Sequence, residues 1–417
     1  MLGCTTPLFL HGGMELNTQE RHRLGRQDGV DAIRGLLVLA MLCVNAPGDP
    51  RSVFVQLQHA PWTGYTAADI VFPGFLFVSG ISMALSIASR LSHGETAATI
   101  LKRQLARASL LVGSGLVLNA VAMWLFHLES FRLMGVLQRI ALCSLLTGAA
   151  FAWRGVRGAW VVAAVALASY SSILVLDDTY VPYINLPDRI DAALLGTHAA
   201  WLDPATGLRR DPEGLISTLG AVATTALGTT AAPMIRRHQT GKLFLFGLIC
   251  VLAGYWISLE IPLIKRIWTP SFDLVYAGVA AMLTCLGGPL GRVTSLRALG
   301  RNALLVYLAS MIIFETTFAT GIWTRIHACF ALAMEAIATP KAVSALQSLG
   351  YAILWIAVLR LFDIAKRKRD PPSEAEPRTA QEHLNSQSPP EHNGTYKKAP
   401  QSHAARLFVE AGEELKP

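Results

Sequence analysis

Residues 58–89 read QHAPWTGYTAADIVFPGFLFVSGISMALSIAS. From Asp69 to Ser89 the run is apolar for long enough to cross about 30 Å of hydrocarbon at roughly 1.5 Å per residue. A short polar loop carrying His59 leads into it, and Asp69 opens it. An ionisable residue held at or near a bilayer is costly, which makes both side chains functional candidates from the start.

Working outward, similar runs recur along all of the chain except its ends. The 417 residues are 52% hydrophobic and only 15% charged, with a positive mean hydropathy of +0.41, a composition far from that of a soluble domain. The expected fold is therefore all-α, a polytopic transmembrane helical bundle. Runs of membrane-crossing length predict about ten helices, over 29–46, 69–89, 104–124, 134–153, 158–176, 214–235, 241–258, 271–288, 301–320 and 341–362. The segment Ile322 to Ala338 is apolar but holds Arg325, His327 and Glu335, and it reads as interfacial.

Lysine and arginine accumulate in short cytoplasmic loops, and one register satisfies nearly all of them. With the N-terminus inside, the cytoplasmic side receives Arg21, Arg23, Arg26, Arg90, Lys102, Arg103, Arg107, Arg154, Arg157, Arg236, Arg237, Lys242, Arg292, Arg297, Arg301 and the run from Lys366 to Arg369. Both termini are then expected to be cytoplasmic, while the His59 loop, the long loop from about Asp177 to Glu213 and the loop around Lys265 face the other way. The net charge of +8 follows from this arrangement, and nucleic acid is not an expected partner.

The expected organisation is a cytoplasmic N-terminal segment over 1–27 with Met14 as an alternative start, a transmembrane domain over 28–369, and a disordered cytoplasmic tail over 370–417 rich in Pro, Ser, Glu, Gln and His. No cleavable signal peptide is visible. The six cysteines, Cys4, Cys43, Cys143, Cys250, Cys285 and Cys329, have no metal-ligand spacing and read as small packing residues. No metal is expected.

Each polar residue inside an apolar run has a structural reading beside a functional one. Asp31 and Arg34, three apart, suit an ion pair at a helix end; Asn45, just before Pro47 and Gly48, suits a C-terminal cap. Asn119, Gln138, Arg139 and Glu315 suit helix-to-helix bonds. His59, beside Trp62 and Tyr65, is either a residue of the interfacial aromatic belt or a general base or acyl acceptor, because imidazole titrates near neutrality and is nucleophilic when neutral. Asp69 either caps its helix or orients the imidazole.

The segments DGVDAIRGLLVLAMLCVN, QHAPWTGYTAADIVFPGFLFVSG, MGVLQRIAL, DPEGLISTLGAVATTALG, IKRIWTPSFDLVYAG and LGRNALLVYL resemble, in order, the signature blocks of the membrane acetyltransferases related to heparan-alpha-glucosaminide N-acetyltransferase. The resemblance runs from about Asp28 to Leu308. It implies an enzyme that takes acetyl from cytoplasmic acetyl-CoA and delivers it to an amine, or a hydroxyl, of an extracytoplasmic sugar or glycan. In that family the histidine of the H-A-x-W-x-G block is the proposed active-site residue, matched by His59, and the asparagine closing the first helix is its proposed partner, matched by Asn45. Gly74 and Gly220 depart from the family pattern without removing a catalytic group. The long extracytoplasmic N-terminal domain of the animal enzyme has no match here, an organisation resembling bacterial members, so a multi-pass protein of a bacterial inner membrane is expected.

On that reading His59, Asn45 and Asp69 are the catalytic candidates. Either His59 becomes acetylated and relays the group, or both substrates bind together and His59 deprotonates the acceptor while Asn45 donates to the oxyanion. The direct route is preferred, since an acyl-histidine is hydrolytically labile. Trp62, Lys265 and Arg266 are candidate acceptor-binding residues, the two cations being exceptions to the positive-inside trend. Arg139, Arg301 and Asn302 are candidates for the phosphates of CoA, the last two at a helix start on the cytoplasmic side. The expected partners are acetyl-CoA, a glycan acceptor and the lipid bilayer, with homodimer formation open. A transporter or flippase without acyl chemistry is the alternative, although no inverted repeat with broken helices is evident.

Overall fold

The computed structural model describes residues 18–334 and 337–369. Cys4, Met14, Glu335 and the 370–417 segment lie outside the described residues. The chain divides into a unit ending at Ile364 and a second beginning at Ala365, and the fold is that of the first.

In chain order the elements are α1 (Thr18–Asn45), α2 (Val71–Ser92), α3 (Ala97–Phe126), α4 (Val136–Asp177), α5 (Leu186–Leu195), β1 (Trp201–Leu202), β2 (Arg209–Arg210), α6 (Thr218–Arg236), α7 (Thr240–Ile257), α8 (Pro270–Thr284), α9 (Gly287–Leu290), α10 (Thr294–Arg301), α11 (Ala303–Ala319), α12 (Ile322–Met334) and α13 (Pro340–Arg369). Every stretch expected to be a membrane helix is largely helical. Among the described residues fewer helices are long and apolar enough to cross a membrane: Ala67–Ser92, α3, α4, α7 and Pro340–Phe362, with α10 and α11, bent by 79°, making a sixth if counted as one span.

The difference from ten has physical causes. The two runs 134–153 and 158–176 are two helices that meet at a kink within α4, whose 42 residues are about twice the length needed for a single crossing. At Gly155 its backbone takes φ 55 and ψ −143, outside the helical region, a conformation open to glycine and strained for other residues. α6 is buried along most of its length, so it has little need of an apolar face toward lipid, and its threonines turn inward instead. Thr225 and Thr229 each donate to the carbonyl four residues back at 3.0 Å. α1 carries Asp28, Asp31 and Arg34, and α8 has only 15 residues.

Small residues set the closest helix crossings, as is common where helices must approach without bulky side chains between them. A Cβ on Gly80 of α2 would collide with the Thr225 carbonyl of α6, and one on Gly228 of α6 with the Phe77 carbonyl of α2. Gly35 and Gly300 do the same for α1 and α10, meeting the Leu296 and Asp31 carbonyls.

Two expectations require correction. The 177–213 segment is not a plain loop, since it forms α5 and an antiparallel β1–β2 hairpin pairing Trp201 with Arg210 and Leu202 with Arg209, so among the described residues every other regular element is helical. Arg301 does not begin a helix but ends α10, whereas Asn302 stands at the bend as the N-cap residue of α11, its side-chain amide donating to the Ala298 carbonyl at 2.9 Å. Residues 322–334, expected at the interface, form α12, mostly exposed with Trp323 buried against Phe314 and Tyr351. The five cysteines among the described residues are unpaired.

Candidate active site

The His59 loop is held from both sides. Thr63 bridges Ile264, Gly64 N–H donates to the Leu263 carbonyl at 2.9 Å, and Arg266 Nε donates to the Pro61 carbonyl at 2.9 Å. The partner loop, 258–269, is itself tied down. Thr269 Oγ1 accepts from Ile264 N–H at 3.1 Å, Tyr170 donates to the Ile267 carbonyl, and Trp268 closes a turn with φ +54, a left-handed backbone that costs free energy for a bulky residue. Trp268 is fully buried and packs edge-on against Phe72 and Phe272.

These restraints converge on Asp69. Its carboxylate has no solvent exposure. Oδ2 accepts from the Ala60 and Thr66 backbone N–H groups at 3.2 and 3.0 Å, the second of them completing a capping box with Thr66. Oδ1 lies 3.0 Å from His59 Nδ1 and 2.9 Å from Lys265 Nζ. Capping the turn and holding the imidazole are therefore performed by different oxygens of one carboxylate. His59 keeps 43% of its side chain exposed, and its Nε2 is the nitrogen that the carboxylate leaves free.

That exposed part lines a cavity of about 690 Å³, within the range of small-molecule sites. His59, Asn45, Trp201, Glu213, Lys265 and Arg266 lie at one end; Arg34, Ser82, Arg107, Gly300 and Arg301 lie at the other. Both Val71 and Ser82 of α2 line it, and eleven residues of helix span roughly 16 Å. Between the polar ends the lining is largely apolar, from Phe75, Leu110, Leu111 and Leu137.

At the far end the arginines are oriented by acids on α1. Asp28 accepts from Arg297 and Arg301 at 2.6 Å each, and Asp31 pairs with Arg34 at 3.0 Å and with Arg301 at 3.3 Å. Arg34 also donates to Ser82 and, at 3.2 Å, to the Gly300 carbonyl. Three guanidinium groups share two carboxylates, and Arg107 adds a fourth cation at the cavity wall. This end carries an excess of positive charge.

The remaining candidates separate. Asn45 ends α1 and lines the cavity, but its amide faces Met311 Sδ at 3.8 Å and is not within hydrogen-bonding distance of His59. Trp62 is not part of the cavity lining; its Nε1 donates to the Tyr180 carbonyl at 2.6 Å, with the Arg210 guanidinium 4.9 Å from its ring. Arg139 is wholly buried behind the cavity wall, stacked 4.9 Å from Trp268 and donating to Ser217 Oγ at 2.5 Å. Lys265 is engaged with Asp69 and His59, and Arg266 stacks 4.7 Å from Trp201 of the hairpin. Burial lowers the pKa of both cations below their usual range, opposed by Asp69. Among the described residues no cluster of His, Cys, Asp and Glu is arranged to hold a metal.

One cavity group was not singled out from the sequence. Arg132 binds Asp211 through two bonds, of 2.5 and 3.0 Å, and also pairs with Glu213. Burial raises the Glu213 pKa, but Arg132 and Arg139 outweigh it and hold the carboxyl below its usual range. A signal for Arg132 was present: like Lys265, it is a cation on the face where the charge register expects few.

A helical membrane protein with a carboxylate-bonded histidine at one end of a long apolar cavity and clustered arginines at the other is the class these features define. The model of the family described as heparan-alpha-glucosaminide N-acetyltransferase, catalytic, matches residues 26–190, a stretch containing Asn45, His59, Asp69 and Arg139. The mouse heparan-alpha-glucosaminide N-acetyltransferase is 25% identical over 347 residues, covering 67% of this chain and 52% of its own. The human protein of that name is 25% identical over 366 residues, 70% of this chain and 54% of its own. The chain is related to this family, and it spans about half the length of the curated relatives it matches.

Proposed function

We propose that the chain is a membrane acyltransferase that moves acetyl from acetyl-CoA to an amine, or a hydroxyl, of a sugar or glycan. The observation that carries this reading is one continuous cavity, which joins a histidine–carboxylate pair at one end to Arg34, Arg107 and Arg301 at the other. A donor that is anionic at its nucleotide end and reactive at the tip of a long flexible arm suits such a shape. The phosphates would meet the guanidinium groups, and the thioester would lie near His59. An amine acceptor is favoured by the relatives' names, which specify N-acetylation of a glucosaminide.

In the direct reaction the acceptor nitrogen attacks the thioester carbonyl while His59 Nε2 takes its proton. The new C–N bond forms, the C–S bond breaks, and CoA leaves as its thiolate. Asp69 holds Nδ1–H and stabilises the imidazolium. Asn45, on the same cavity wall, is proposed to donate to the carbonyl oxygen as it gains charge. The positive-inside rule supports assigning the Arg301 end to the cytoplasm and the His59 end to the opposite face, with about ten crossings, both termini inside, and a bacterial inner membrane as the setting.

The test is turnover of radiolabelled acetyl-CoA by purified protein with a panel of amino sugars. Transfer is expected, and His59→Ala is expected to lower it by about 10²- to 10⁴-fold. Sugar flux across vesicles without release of CoA would sink the proposal in favour of a transporter.

A further inference from the structure

The face of α2 that lines the cavity continues beyond it. Phe75, Ser79, Ser82, Ser86, Ser89 and the C-cap residue His93 follow one another at intervals of three and four, the spacing of a single helix face. Phe75, Ser79 and Ser82 line the cavity already described. Ser82, Ser86, Ser89 and His93 line a second one, of about 620 Å³, walled also by Asp31 and Arg34 of α1 and by Arg236 at the end of α6. The two cavities share Arg34 and Ser82, and there the guanidinium donates to the serine hydroxyl.

The two chambers differ in character. The first is apolar through its middle, whereas the second carries Arg34, Arg90, Arg236 and His93 against one carboxylate among its described lining residues, Asp31. That acid is already shared between Arg34 at 3.0 Å and Arg301 at 3.3 Å. Glu95, which pairs with Arg90 at 3.1 Å, is likewise shared with Arg103 at 3.4 Å. Cations outnumber acids here, so the second chamber suits a ligand of negative charge.

The dimensions fit a CoA thioester whose sulfur lies beside His59. From that sulfur to the first phosphorus the pantetheine arm runs about thirteen bonds, or about 15 Å at the roughly 1.2 Å per bond of an extended chain. Val71 to Ser82 spans roughly 16 Å. The arm therefore fills the apolar passage and brings the pyrophosphate to Arg34 and Ser82. An adenosine with a phosphate on its ribose has still to be housed. From Ser82 to His93 the same face of the helix runs roughly another 16 Å along the second cavity.

We propose that the second cavity is the seat of the donor's adenosine 3′-phosphate, with Arg34 and Ser82 at the junction taking the pyrophosphate and with Arg90 and Arg236 recognising the phosphate on the ribose. This rests on the acyl-transfer reading above. It separates two kinds of selection: the apolar passage accepts the arm by length, and the second chamber identifies the donor as CoA by its third phosphate.

Acetyl-CoA and acetyl-3′-dephospho-CoA differ only in that phosphate. In steady-state transfer by the parent protein, the KM of the dephospho donor should be about 10- to 100-fold higher at similar kcat, the effect of losing charge-assisted bonds. In Arg90→Gln/Arg236→Gln the KM of acetyl-CoA should rise to that of the dephospho donor, whose own KM should move by less than about threefold. The second readout needs neither acceptor nor turnover. Adenosine 3′,5′-bisphosphate, which has no thioester, should bind the purified protein in equilibrium dialysis, and Ser86→Trp, at an exposed position that narrows the second chamber away from the junction, should abolish that binding. A parent that uses both donors with equal KM, or bisphosphate binding that survives Ser86→Trp, overturns the proposal. Acetyl transfer without discrimination between the donors would remove this inference and leave the acyltransferase reading intact. Bisphosphate binding lost in Ser86→Trp, in a protein that acetylates nothing, would do the reverse.

Discussion

At the scale of single residues, Asp69 supports the most demanding arrangement in the molecule, because one buried carboxylate serves two backbone donors, an imidazole and an ammonium. Asp69→Asn preserves its size and one oxygen but removes the charge that stabilises an imidazolium. We expect kcat to fall by about 10²- to 10⁴-fold with KM for the acetyl donor nearly unchanged, measured by steady-state transfer; a rise in that KM alone would place Asp69 in donor binding instead. The His59–Asp69 pair was legible in the sequence, since ten residues with a turn between them is enough to close a contact. Lys265 was legible only as an anomaly of charge. Its 2.8 Å approach to His59 depends on two loops some 200 residues apart pairing through Thr63 and Ile264, which no local pattern encodes. Arg132 carried the same anomaly, and its partners Asp211 and Glu213 lie across a segment whose folding into α5 and a hairpin left little trace in hydrophobic periodicity.

Among the elements, α5 shows how the segment ahead of α6 is anchored. Asp191 Oδ1 accepts from the Leu215 and Ile216 N–H groups at 2.8 and 3.1 Å, and burial pushes its carboxyl up to about 6 despite those donors and Arg139. A carboxyl whose folded pKa lies above its unfolded value of about 3.9 binds more protons folded than unfolded between the two. Its contribution to stability is complete below the unfolded value and is lost as pH rises through about 6. Asp191→Asn keeps an acceptor for both amides and abolishes the titration. We expect the variant to lose the decline in thermal stability between about pH 4 and 6 and to gain on the order of 1 to 3 kcal/mol at pH 7; an unchanged pH dependence of the melting temperature would refute this. Helix placement was the most legible property of the chain, because apolar length is a strong signal. Within α4 the two expected runs meet at the kink at Gly155, a backbone conformation that glycine takes without strain.

For the molecule as a whole, the cavity is the property that no single stretch of sequence announces, being assembled from α1, α2, α3, α4, α10, α11 and the loops around His59, Glu213 and Lys265. Ser79 lines it one helical turn from Ser82. Ser79→Trp would obstruct the passage just inside the Arg34 end, and we expect it to abolish acetyl transfer while leaving the thermal stability within about 3 kcal/mol of the parent, the usual cost of overpacking. Retained transfer would mean that the two ends communicate by another path. The same passage has a consequence for the host cell. In a bilayer, a channel with polar ends is a short circuit for protons unless some part of it stays dry, and a membrane potential drives each charge with about 2.3 kcal/mol per 100 mV. Phe75, Leu110 and Leu111 form the apolar stretch that can exclude water between the polar ends. On the proposed topology, the hydrophobic middle of the cavity would serve the cell as the polar ends would serve chemistry, keeping a molecule bored nearly through from becoming an electrical leak.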